Sequence, residues 1–244
     1  MVQPIKPAQR TEKIAYAIRD VVVEAQKQEK AGKKILYLNI GDPLKFDFET
    51  PRHITEAVHK NWKASSSYAD SLGLPAARAA IAKEAHRLGI KDVTTDDVIV
   101  TSGGSEGINF CIGALMNKGE NILVPAPGYP LYNGLIDYYE GENALYYPDE
   151  ENEWQPDLDE MRKKVTEKTK GIVIINPNNP TGAVYSKKTL QGVLDIAAEH
   201  NVVVFSDETY DKLLFDGEKH VATASLSQDV PIVTFNSLSK NYLA

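Results

Sequence analysis

Ile172-Val173-Ile174-Ile175, the turn Asn176-Pro177-Asn178-Asn179-Pro180-Thr181-Gly182, a helical stretch from Ser186 to His200 and then Val202-Val203-Val204-Phe205 settle the architecture. Two short β-branched runs, apolar throughout, flank one helix. That pattern belongs to strands buried on both faces of a mostly parallel sheet. Polar residues gather where the strands end, which is where open α/β sheets bind ligands.

The same rhythm extends in both directions. Upstream, Val98-Ile99-Val100 precedes Thr101-Ser102-Gly103-Gly104-Ser105 and an apolar helix to Asn117. Asn121-Ile122-Leu123-Val124 leads through Pro127-Gly128-Tyr129-Pro130 into a helix to about Glu140, and Ala144 to Tyr147 reads as another strand. An acidic segment from Asp149 to Asp157 crosses to a helix ending near Lys168. Downstream, Pro231 to Asn236 is a last strand that delivers Ser237-Leu238-Ser239-Lys240.

Before residue 96 the pattern differs. Glu12 to Ala31 predicts an amphipathic helix stopped by Gly32, and Ile35-Leu36-Tyr37-Leu38 predicts a short strand before Asn39-Ile40-Gly41-Asp42-Pro43. Thr50 is placed to cap a helix that Pro51 opens, Tyr68 sits in a polar loop, and Pro75 starts the next helix. The expected division is an N-terminal arm with part of a small domain over 1–50, then a large α/β domain over 51–244. No internal repeat is visible.

Composition narrows the functional classes. A chain of 244 residues, 42% hydrophobic and 25% charged, suits a soluble globular protein. Its net charge of -7 argues against a nucleic-acid backbone as partner. One cysteine, Cys111 in an apolar helical stretch, precludes an internal disulfide and fits an inert thiol in a reducing cytoplasm. Met1 to Arg10 has no apolar core of signal-peptide kind, and no apolar run approaches membrane-spanning length.

The strand ends carry the chemistry. Lys240, just past a buried strand among small polar residues, is placed to lose its charge by desolvation and so to act as an amine nucleophile; a solvated loop lysine is the plainer alternative. Gly103-Gly104-Ser105 joins a strand to a helix N-terminus, where bare amides can hold a phosphate or simply make a tight turn. Tyr129 offers a face for stacking or for the core. Asn179 offers its amide to a ring hydroxyl or to the turn itself. Asp207 ends an apolar strand, which calls for a cationic or hydrogen-bonding partner, or marks a helix cap. Tyr210 lies within reach of the same place. Together these groups specify a phosphate-bearing aromatic ring with a basic nitrogen, a phenolic oxygen and a lysine-reactive carbonyl: pyridoxal 5'-phosphate. The set calls for no metal.

In this order and over almost the whole chain, the motifs resemble those of the class I aminotransferases among fold-type I pyridoxal-phosphate enzymes. Asn39 to Pro43, Tyr68 with Gly73 and Arg78, Thr101 to Ser105, Pro127 to Pro130, Asn176 to Gly182, Asp207 to Tyr210 and Ser237 to Lys240 carry the likeness. The resemblance implies that Lys240 forms the cofactor Schiff base and shuttles a proton, that Asp207 pairs with the ring nitrogen, and that Asn179 and Tyr210 hold the phenolic oxygen. It implies stacking by Tyr129, phosphate binding by Gly103, Gly104, Ser105 and Ser237, and Tyr68 reaching across a homodimer. Gly41 and Asn179 would touch substrate.

The implied reaction moves an amino group from an L-amino acid to 2-oxoglutarate with ping-pong kinetics. Tyr16 to Asp20 with Asn39 to Pro43 looks most like the alanine branch, with aspartate next. The family's phosphate-binding arginine after the lysine and its C-terminal small domain do not lie in Asn241 to Ala244, so a truncated piece or an inactive fragment is a further alternative. A carbon–sulfur lyase on the same scaffold is the nearest rival.

Overall fold

Residues 5–14, 17–39 and 41–244 are described by the structure, a computed structural model. Five strands form its sheet: β1 (Asn121–Pro125), β2 (Glu142–Tyr146), β5 (Thr169–Ile175), β6 (Val203–Asp207) and β7 (Ile232–Phe235). Their order is β2-β1-β5-β6-β7, and every neighbouring pair is parallel. Between β2 and β5, the two-residue strands β3 (Pro148–Asp149) and β4 (Gln155–Pro156) pair antiparallel around the acidic segment. Ile175 pairs with Asp207, and Asp207 with Phe235. The turns that follow these three strands therefore emerge along one edge.

Strand parity divides the core. Ile172, Ile174 and Val204 pack with Leu190, Val193 and Leu194 of α7 (Lys187–His200) and Met161 of α6 (Leu158–Lys164). Val173, Ile175, Phe205 and Phe235 face the other side, against α4 (Gly104–Leu115) and α5 (Pro130–Tyr138). Each fully buried aliphatic or aromatic side chain contributes about 1.5–3 kcal/mol. Gly171 lets β5 and β6 approach, since a Cβ there would lie 2.7 Å from the Phe205 ring.

The N-terminal part adds little to this core. Of α1 (Ala17–Lys30), α2 (Arg52–Asn61) and α3 (Pro75–Arg87), α2 buries no residue and α3 buries only Arg78 and Ala82. Leu36, Leu38, Phe46, Phe48 and Trp62 are exposed.

Several expectations are corrected. Ile35 to Leu38 is irregular chain, because among the described residues no neighbour offers it a ladder. Val98 to Val100 is likewise outside the sheet; only Val98 is buried, and the Val100 amide donates to the Leu72 carbonyl at 2.9 Å. Gln9–Thr11 is a 3-10 turn, α1 is described from Ala17, and the expected helical positions Ala15 and Tyr16 lie outside the described residues, as does Ile40. Thr50 does not cap α2; its hydroxyl donates to the Leu243 carbonyl, and Pro51 takes the cap position. The helix expected to reach Lys168 stops at Lys164, where Val165 turns extended and buries its side chain. No described helix is long and apolar enough to cross a membrane.

Candidate active site

At the N-terminus of α4, Gly103 has φ +75°, which favours glycine. A Cβ built on Gly103 or Gly104 would meet nothing within 4 Å, so the first amides of α4 face open space. The Thr101 hydroxyl donates to the Gly103 carbonyl at 2.8 Å, and Glu106 is spent on the Ser102 amide at 2.6 Å. Ser105 is exposed beside them. One turn further, Gly107 lies against the Phe235 ring, with 3.6 Å from a built Cβ. This contact seats the start of α4 beside the end of β7 and hence near Ser237.

Ser237 caps the one-turn helix α8 (Leu238–Asn241), its Oγ accepting from the Ser239 amide at 3.1 Å. Lys240 is exposed on α8. The desolvation expected of it is not supplied by this chain, because α8 is a single turn at the surface end of β7.

Asp207 is the buried charge of the site, 6% exposed at the end of β6. Its Oδ2 accepts from the Tyr132 hydroxyl at 3.1 Å. Its Oδ1 accepts from the Thr209 hydroxyl at 2.7 Å and the Thr209 amide at 3.2 Å. The local turn-capping role falls on Oδ1, while Oδ2 meets the Tyr132 phenol. Burial pushes its carboxyl above the usual range, Glu208 adds to this, and the three donors oppose it. Among the described residues no cation pairs with it.

Tyr132 is a residue that sequence reasoning missed. It is fully buried, and its phenol is held well above the ordinary range, first by burial and then by the Asp207 charge. Its signal was spacing: it stands three residues after Tyr129 on the helix that Pro130 opens, so both rings address one side. The two rings meet edge to face at 6.4 Å. Tyr129, half-buried at the cap of α5, keeps a face available.

Across from them, the Asn179 amide reaches the Tyr210 hydroxyl at 3.5 Å. Burial raises the Tyr210 phenol, and the charges of Asp207 and Tyr129 add to that, which ties Tyr210 to the same cluster. Two expected residues stay apart. Tyr68 is 106% exposed, and Gly41 has nothing within 4 Å of a built Cβ. Cys111 sits half-buried behind the site with its thiol pushed up by burial, as suits an unreactive cysteine.

The family model for aminotransferase class I and II matches residues 33–244. Glutamate-pyruvate aminotransferase AlaA of Escherichia coli K12 is 45% identical over 242 residues, which cover 99% of this chain and 60% of that protein. The alanine aminotransferase of Mycobacterium tuberculosis H37Rv is 40% identical over 231 residues, 94% of this chain and 54% of that one. The solved alanine aminotransferase of Pyrococcus furiosus superposes with a TM-score of 0.93 at 48% identity, covering 98% of this chain and 61% of its own. The chain thus spans between half and two-thirds of the length of these relatives. Pyridoxal phosphate is the cofactor of that class, and the residues here fit it: open amides for a phosphate, a buried carboxylate that no described cation pairs for a ring nitrogen, and an amide–phenol pair for a ring oxygen. With that fit and a match over most of its length, the chain belongs to the pyridoxal-phosphate-dependent aminotransferases of class I and II.

Proposed function

We propose that the protein transfers an amino group between an L-amino acid, alanine before aspartate, and 2-oxoglutarate. The observation that carries this is Asp207, a carboxylate buried at a strand end with three hydrogen-bond donors and no cation among the described residues. A charge so placed is costly unless a cationic group completes the site. The names of the relatives, glutamate-pyruvate and alanine aminotransferases, support the substrate pair.

When bound, pyridoxal phosphate supplies an electron sink for a carbanion at the substrate α-carbon. This chain's residues do the rest. The Lys240 amine would hold the cofactor covalently and carry a proton, its flexible stem suiting both tasks. Asp207 keeps the ring nitrogen protonated, with Tyr132 and Thr209 holding the carboxylate in place. Asn179 and Tyr210 take the ring oxygen, and Tyr129 stacks on the ring. The amides of Gly104 and Ser105, together with Ser237, would take the phosphate, while the Gly103 amide is spent on the Thr101 carbonyl at 2.9 Å. Gly41 and Asn179 contact the substrate. Alternate release and binding of the two oxo acids gives ping-pong kinetics. We further propose a cytoplasmic homodimer with Tyr68 of each copy reaching the other's site, and residues 1–50 as an arm and partial small domain ahead of the large domain over 51–244.

The test is borohydride reduction of the protein with pyridoxal phosphate, then peptide mass mapping, followed by assays with alanine or aspartate and 2-oxoglutarate. An adduct on Lys240 and oxo-acid-dependent pyruvate formation are expected. An adduct elsewhere, or pyruvate and ammonia released with the thiol from a cysteine conjugate without a second oxo acid, would overturn the proposal.

A further inference from the structure

Lys240 stands on α8, a helix of four residues. One turn does not hold a register unaided, because nucleation costs more than a single hydrogen bond returns. What fixes α8 therefore also fixes the lysine.

Three anchors are visible. The Ser237 hydroxyl caps the first turn, but it lies within the same short segment and is shared with the Ser239 hydroxyl at 2.8 Å. The Thr50 hydroxyl donates to the Leu243 carbonyl, from the part of the chain that adds little to the core. The third anchor reaches the buried frame: Asn241 Nδ2 donates to Asp211 Oδ1 at 2.6 Å.

Asp211 is held on every side. It is 5% exposed, and its amide donates to the Glu208 carbonyl at 3.0 Å. Glu208, 1% exposed, closes the 208–223 loop: its Oε1 accepts from the Thr223 amide and the Ser206 hydroxyl, each at 2.9 Å, and its Oε2 meets His220 Nε2 at 2.8 Å. The second oxygen of Asp211 faces Lys212 at 3.6 Å, and Lys212 is bound to Glu84 of α3 at 2.9 Å. Among the described residues Asn241 Oδ1 is buried without a partner, so of the contacts they make the bond to Asp211 orients this amide.

We propose that Asp211, acting through Asn241, is the positioning residue that fixes the Lys240 helix for covalent attachment of the cofactor. This rests on Lys240 being the attaching lysine. The bond is charge-assisted and short, so its loss should open the segment measurably.

The experiment compares wild type with Asn241→Ala, Asp211→Asn and Asp211→Leu in the cofactor-loaded protein. It reads amide hydrogen exchange of a peptide spanning 237–244 and the pH midpoint of the visible absorption band. Asn241→Ala should speed exchange there about ten- to a hundredfold, the loss expected for a hydrogen bond to a charged acceptor, and should move the midpoint, while peptides from β5 and β6 stay unchanged. Asp211→Asn keeps the acceptor oxygen and should retain most of the wild-type behaviour; Asp211→Leu should not. If Asp211→Leu fails to fold, Asn241→Ala decides alone. A Lys240 adduct in wild type with unchanged exchange and midpoint in Asn241→Ala overturns the positioning role. Absence of any adduct on wild-type Lys240 overturns the function beneath it, and the proposal with it.

Discussion

Replacing Asp207 by Asn should stabilise the protein without cofactor and weaken it toward cofactor. Burial raises the Asp207 carboxyl above its unfolded value, and Glu208 pushes the same way. A carboxyl shifted upward favours folding in acid and opposes it as pH rises through the folded value. At pH 7 the folded chain therefore carries a penalty. Desolvation of such an ion costs several kcal/mol, and three donors offset most of it, leaving on the order of 1 kcal/mol. Asn keeps the shape, still accepts from Thr209, and can donate to a Tyr132 hydroxyl that turns to accept. Urea and thermal melts at pH 7 should thus show Asp207→Asn about 2–4 °C more stable without cofactor, and the gain should vanish on acidification. With pyridoxal phosphate the sign reverses. Removing one partner of a buried ion pair costs about 3–5 kcal/mol, so binding should weaken by roughly two to four orders of magnitude. A carbocyclic analogue lacking the ring nitrogen should not discriminate the two proteins. A cofactor-free Asp207→Asn protein that melts below wild type, or an equal loss of affinity for the analogue, would refute the reasoning.

Two further outcomes follow from the same chemistry. Tyr132→Phe deletes a donor to a buried carboxylate and should cost about 1.5–3 kcal/mol at pH 8 in urea melts, with the loss shrinking on acidification as Asp207, its carboxyl raised by burial, takes up a proton. Glu84 is drawn down to about 2 by hydrogen bonds from Arg87 and Lys212, so its contribution is complete above about 4.3 and lost as pH falls toward 2. Glu84→Gln should therefore flatten the acid limb of a stability–pH curve over that window, by less than about 1 kcal/mol because the group is partly exposed.

The buried strands were legible because each is apolar on both faces, and Thr169–Ile175 and Val203–Asp207 stand within a few residues of the expected runs. Val98 to Val100 has the same composition and is not in the sheet, since a ladder depends on a partner that one segment's residues do not reveal. The same limit explains Ile35 to Leu38. Asp207, Asn179 and Tyr210 could be read because strand ends in such sheets point to one place. Tyr132 had only its spacing from Tyr129 to mark it, and a tyrosine in an apolar helix reads as core until the carboxylate it meets is known. Lys240 was legible as a residue type; its exposure was not, because desolvation is a property of what surrounds the chain's end of β7 rather than of its sequence neighbours.

Asp207 and Glu208 show how one strand end serves two purposes. Consecutive residues of an extended chain point to opposite faces. Phe205 and Asp207 take the side of α4 and α5, and Asp207 accordingly meets Tyr132 of α5. Val204, Ser206 and Glu208 take the other side, where Glu208 closes the loop that begins with Tyr210 and Asp211. The first carboxylate is held by Tyr132 and Thr209. The second fixes the segment that carries Tyr210 and, through Asp211 and Asn241, bears on the Lys240 helix. Exchanging their order would put each charge on the wrong face. The Asp-Glu pair is therefore constrained in sequence by the two-residue period of the strand as much as by the chemistry of either side chain.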